Sequence, residues 1–169
     1  MAIQDLDANF IELFLDSVES TFIKVFNTEV TRGQMSIWKN NLRDHDIAVI
    51  TGIIGDEHTG MVIYSMKGST AERMIRFLDP SLETDTDKKV IYDGLSEIIC
   101  ILSGNTMTAF SENDIEIDIT TPSIVSGELF QMHMPNHTIL TVDMLSEFGT
   151  IDVNIAIKRH GRKHKIKAA

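Results

Sequence analysis

The sequence predicts an α+β domain in which helices cover one face of a largely antiparallel sheet. Three observations lead there. Long segments repeat apolar residues every three to four positions, as a helix with one buried face does. Shorter segments rich in β-branched residues alternate with period two, as strands do. Consecutive strands are joined by turns and not by the crossover helices that a doubly wound parallel sheet requires. At 169 residues and 43% apolar content, the chain is sized for one domain with a single core.

From Asp7 to Phe26, residues Phe10, Leu13, Phe14, Val18, Phe22, Val25 and Phe26 fall at helical spacing and define a first helix. Thr28 to Gln34 follows as a short strand that Arg32-Gly33 is expected to end. Ile47–Ile54 and Gly60–Met66 flank Gly55-Asp56-Glu57-His58-Thr59, turn chemistry suited to an antiparallel hairpin, with His58 read as solvated. Ser69 and Glu72 form a capping-box pattern ahead of a short helix carrying Met74, Ile75 and Leu78, which Asp79-Pro80 stops. After the polar stretch Ser81 to Asp87, a long helix is predicted from about Asp87 to Ser111, with Ile91, Leu95, Ile98, Leu102 and Ala109 on one stripe. Three strands should complete the chain: Ile115 to Thr120, Thr138 to Met144, and Ile151 to Ile157. Leu145 to Thr150, containing Gly149, joins the last two as a hairpin.

Charge is unevenly spread. Of 15 Lys and Arg, six lie at Lys158, Arg159, Arg162, Lys163, Lys165 and Lys167, where no carboxylate follows; all 25 Asp and Glu lie before them. An acidic body argues against duplex nucleic acid as the main partner, and the basic tail is read as a solvated terminus. The opening MAIQDLDANF lacks the positive charge of a secretory signal, and no apolar run approaches the ~18 residues that span a bilayer, so the expectation is a cytoplasmic protein without membrane insertion. A single cysteine cannot form an internal disulfide, and no CxxC or HExxH pair suggests a metal.

The long helix from Asp87 carries the informative pattern. At about 100° per residue, Asp93, Glu97, Cys100 and Gly104 cluster opposite the apolar stripe. Carboxylates at i and i+4 repel modestly, and an interior glycine costs about 1 kcal/mol relative to alanine, so neither choice serves local stability. On periodicity alone, an acidic solvated face remains the commoner explanation.

The stretch Asp93-Gly94-Leu95-Ser96-Glu97-Ile98-Ile99-Cys100 to Gly104-Asn105 resembles the signature helix of the CheC, CheX and FliY chemotaxis phosphatases: Asp or Ser, three residues, Glu, two residues, Asn. In CheX-like members the helix continues to a Gly-Asn pair, and Gly104-Asn105 stands at that place. The strand from Ile115 into Thr121-Pro122-Ser123, Gly127 beyond it, the first helix followed by Glu29-Val30-Thr31-Arg32-Gly33, and the hairpin Thr51-Gly52-Ile53-Ile54-Gly55 to Gly60-Met61-Val62 are similar to CheX-type chains as well. The resemblance implies a single CheC/CheX-like domain over 1–157, with the basic tail, 158–169, outside it.

It further implies a CheX-like protein that dephosphorylates the phospho-aspartate of a CheY-type receiver, and a homodimer with strands contributed across the interface; the alternation of Ile151 to Ile157 is compatible with an edge that seeks a partner. Glu97 would engage the receiver's lysine, Asp93 would support it, and position 100 would orient water. Cys100 stands there in place of the family's asparagine. A thiol is a weak donor and a weak acceptor, whereas a carboxamide offers both strongly in one plane, so catalysis is expected to be weakened, and a non-catalytic receiver-binding module of the same fold stays open. Glu12 and Glu19 on the first helix have Leu15 and Phe22 three residues on, which breaks a second copy of the motif and implies one site per protomer. Gly104-Asn105 is expected to let another element approach the helix. No cofactor is implied, since the magnesium of such reactions belongs to the receiver.

Overall fold

In the computed structural model, residues 7–41, 45–130 and 132–160 are described. Three helices, α1 (Ala8–Phe26), α2 (Gly68–Leu78) and α3 (Lys88–Ser111), accompany seven strands: β1 (Thr31–Asn41), β2 (His45–Gly55), β3 (His58–Met66), β4 (Ile117–Ile119), β5 (Ser123–Phe130), β6 (His133–Ser146) and β7 (Gly149–Arg159). The strands form one sheet in the order β1-β6-β7-β3-β2-β4, with β5 also pairing β2, and every pairing is antiparallel. This is the α+β arrangement anticipated from the sequence. None of the described helices is long and apolar enough to cross a membrane.

The helices lie on one face. Phe10, Phe14, Leu15 and Phe26 of α1, Leu95 and Phe110 of α3, and Val49, Val62, Val142, Val153 and Ile155 of the sheet are all at most 1% exposed and form the main core. The second face is buried too. The start of β6 places Met134 and Ile139 against Ala48, Ile63 and Ala156, and beside them runs a polar stripe centred on Asn154. Its amide nitrogen donates to Ile63 O at 2.9 Å and Ser65 Oγ at 2.9 Å, and its oxygen accepts from Thr141 Oγ1 at 2.7 Å. The great majority of buried polar groups are paired in this way.

Helix starts follow their caps. Asp7 accepts from the amides of Asn9 and Phe10, and Asp87 from that of Lys89, each satisfying donors the first turn leaves open. The Ser69–Glu72 capping box does not form: α2 begins at Gly68 after Lys67, which gives no side-chain cap bond, and Gly68 N donates across to Asp46 Oδ2 at 3.1 Å.

Several expectations are corrected. β1 extends through Arg32-Gly33, where the register with β6 shifts, so the pair marks a bulge and not a strand end. β5 occupies Ser123–Phe130, where no strand was anticipated, while β4 has only three residues. His58 is not solvated. Only 4% exposed, it stacks on Phe10 at 4.4 Å and meets Asp7 Oδ2 at 3.2 Å, because the turn it belongs to folds over the start of α1. Finally, β7 is no edge. It pairs with β6 on one side and β3 on the other, so Ile151 to Ile157 alternates between two buried faces.

Candidate functional site

Ile91, Leu95, Ile98 and Leu102 turn α3 onto the core, together with Ile99, Thr106 and Phe110. The same rotation leaves Asp93, Glu97 and Cys100 exposed and Gly104 partly exposed on the outer ridge, as their spacing anticipated. Cys100 follows Glu97 by one helical turn, about 4.5 Å along the axis.

The ridge stands on a fixed base. Asn105 Nδ2 donates to Thr21 Oγ1 of α1 at 3.0 Å, and Gly94 faces α2 so closely that a Cβ there would lie 2.8 Å from Ile75 Cδ1. Gly94, not Gly104, therefore admits the neighbouring element; nothing beyond the local helix backbone and chain neighbours lies within 4 Å of a Cβ built at Gly104. The expectation of close packing at Gly104 is corrected, while Asn105 does join α3 to its neighbour.

The two carboxylates differ in environment. Asp93 Oδ2 receives Lys89 Nζ at 2.6 Å, one turn earlier on the helix, and the contact holds the lysine's pKa above its ordinary value. Glu97 forms no ion pair among the described residues. It is thus the carboxylate left available for a cation brought by a partner. Val90 and Ile101, 41% and 44% exposed, flank Glu97 on the same face and add apolar surface. Sequence reasoning missed both, although their spacing of seven and four residues from Glu97 carried the signal.

On α1, Glu12, Asp16 and Glu19 converge on the guanidinium of Arg32 in β1, each at 2.6 Å. That acidic face is therefore engaged within the protein, whereas the ridge of α3 is open. No group of His, Cys, Asp and Glu able to hold a metal occurs among the described residues.

The arrangement can accept a cation at Glu97 and present Cys100 beside whatever lies above it. Residues 47–145 match the family model described as chemotaxis phosphatase CheX. Among solved structures, a CheX in a CheX-CheY-BeF3-Mg complex from Borrelia burgdorferi is 27% identical with a TM-score of 0.74, over 88% of this chain and 97% of that one. A CheC-like superfamily protein from Shewanella sp. PV-4 is 22% identical with a TM-score of 0.78, covering 90% and 99%. A chemotaxis protein CheX from Desulfovibrio desulfuricans is 18% identical with a TM-score of 0.76, covering 90% and 99%. No curated protein matches.

Proposed function

The chain belongs to the CheX family of chemotaxis phosphatases, within the CheC, CheX and FliY group, and from that premise we propose that it docks on a phosphorylated CheY-type receiver through α3 and hydrolyses its phospho-aspartate slowly. The observation that carries this reading is the free, exposed Glu97 on a ridge whose other carboxylate is already paired. The solved complex of a similar CheX with CheY supports the choice of partner.

In the proposed reaction, a water oxygen attacks phosphorus, the bond from phosphorus to the aspartate oxygen breaks, and inorganic phosphate leaves as the receiver regains its carboxylate. Glu97 binds the receiver's lysine and sets the orientation; Asp93, tethered by Lys89, adds negative potential from the preceding turn. This chain contributes positioning more than covalent chemistry. Cys100 is the weak element, because its thiol cannot hold an attacking water by two strong bonds in one plane. The same residue favours a second reading, in which the chain binds the receiver and hydrolyses nothing.

Phosphate loss from a phosphorylated CheY-type receiver, followed with wild type, Glu97→Ala and Cys100→Asn while binding is measured in parallel, tests both. The expected results are a slow wild-type rate, a gain on the order of a hundredfold for Cys100→Asn, and weaker binding for Glu97→Ala. If Glu97→Ala changes neither rate nor affinity, the docking reading fails. Binding without any rate above the receiver's own selects the non-catalytic module.

The homodimer is likewise proposed, at a different edge from the one anticipated. β1 ends the sheet, with Met35 and Ile37 52% and 44% exposed, and such an edge offers both backbone pairing and apolar surface. Light scattering on Met35→Lys/Ile37→Lys is expected to show a smaller species than wild type; an unchanged mass removes this edge as the interface.

A further inference from the structure

At the far end of α3 a groove of about 510 Å³ opens between the helix, the β2–β3 turn and β4. Its apolar lining comes from Ile54, Met107, Ile115 and Ile117, and its acidic lining from Asp56, Glu116 and Asp118. Ile54 is 57% exposed. None of the three carboxylates forms an ion pair or a side-chain hydrogen bond among the described residues. An exposed isoleucine surrounded by unpaired acids suits a short cationic segment with one apolar anchor.

The sheet register shows where such a segment is close at hand. Lys158 pairs with Thr59, Thr59 with Ile54, and Ile54 with Asp118. Three inter-strand steps of ~4.8 Å therefore separate the end of β7 from the groove, roughly 14 Å. Beyond β7 the chain is held to the β2–β3 turn, whose Gly55 and Asp56 line the groove. His160 N donates to Glu57 O at 2.6 Å, Arg159 Nη2 meets Glu57 Oε2 at 3.3 Å, and Glu57 is the neighbour of Asp56.

Residues 161–169 follow at that point and read GRKHKIKAA, with Arg162, Lys163, Lys165 and Lys167 around Ile166. Six residues of extended chain reach about 20 Å, enough to bring Ile166 across the gap. We propose that this segment of the same chain occupies the groove, its cations facing Asp56, Glu116 and Asp118 and Ile166 covering Ile54. It also shields the short, exposed β4 edge. Glu97 lies ten residues before Met107, about 15 Å along the axis, so occupancy leaves the receiver ridge uncovered, and the two proposals stand or fall separately.

The test uses the full chain with Cys100→Ser and Ala168→Cys carrying a nitroxide label, read by amide resonances. At low salt the signals of Asp56 and Ile115 to Asp118 are expected to lose most of their intensity, while those of Asp93 to Ser96 keep theirs. The loss should be reversed by ~1 M salt, where the screening length falls to ~3 Å, and by Glu116→Lys/Asp118→Lys. Should that pair disturb folding, replacing Arg162, Lys163, Lys165 and Lys167 by Ser must give the same reversal. Groove signals that stay sharp at low salt, or broadening that charge removal leaves intact, overturn the proposal. Broadening that disappears on dilution also overturns it, and assigns the groove to the tail of a second copy.

Discussion

Replacing Gly94 and Gly104 separately by alanine should move stability in opposite directions, although both lie inside the same helix. In the interior of a helix, Gly→Ala gains about 1 kcal/mol from backbone entropy alone. At position 104 nothing opposes that gain, since no atom beyond the local helix backbone and chain neighbours lies within 4 Å of the new methyl. At position 94 the methyl would meet Ile75 Cδ1 at 2.8 Å, Cγ2 at 3.2 Å and Cγ1 at 3.3 Å. Three atoms of one β-branched side chain cannot turn aside together, and Ile75 is itself only 5% exposed. Overpacking of this kind costs about 1–3 kcal/mol, which outweighs the propensity gain and leaves Gly94→Ala destabilised by about 1 kcal/mol. For a chain of this length, 1 kcal/mol corresponds to about 2–4 °C in Tm, so thermal unfolding should show Gly104→Ala above wild type and Gly94→Ala below it. Ten residues place the sites about 15 Å apart, and the double variant should show the sum of the two shifts. Shifts of the same sign would refute the assignment of Gly94 to the α2 contact and of Gly104 to open surface.

Asn154→Ala removes the centre of the buried polar stripe and leaves Ile63 O, Ser65 Oγ and Thr141 Oγ1 without it; a loss of ~3 kcal/mol or more in urea unfolding is expected, and a loss below ~1 kcal/mol would show that water replaces the amide. Burial raises the Asp7 carboxyl's pKa, but the Phe10 amide, His58 and the charge of Arg159 prevail and hold it below the ordinary 3.8. A folded pKa below the unfolded one stabilises the protein above the unfolded value and ceases to do so as pH falls through the folded value. Asp7→Ala should therefore cost about 1 kcal/mol near neutrality, with the gap to wild type shrinking as pH falls below 3.8; a gap that widens in acid would contradict the sign.

The helices and hairpins were legible because their signals are local. Phe10 to Phe26 and Ile91 to Leu102 carry the helical period, and the same 100° arithmetic that buries Leu95 exposes Glu97. β5 was not legible: Ser123 to Phe130 alternates weakly and contains Gly127, so its strand exists because β2 offers it an edge. Arg32, embedded in a turn-like Arg-Gly pair, gave no hint of its three carboxylate partners, which lie 13 to 20 residues away.

By itself the sequence determined which residues of α3 face outward, that hairpins would pair antiparallel, and that position 100 carries a thiol beside the carboxylate of Glu97. Each depends on the spacing of near neighbours. Only the tertiary structure decided that β7 is central, that His58 is buried, that Gly94 and not Gly104 meets another helix, and that Asp93 is tethered while Glu97 forms no ion pair among the described residues. A strand buried on both faces and an edge strand can show the same period of two, and a glycine's surroundings are set by elements distant in the chain. These properties come into being only when those elements meet.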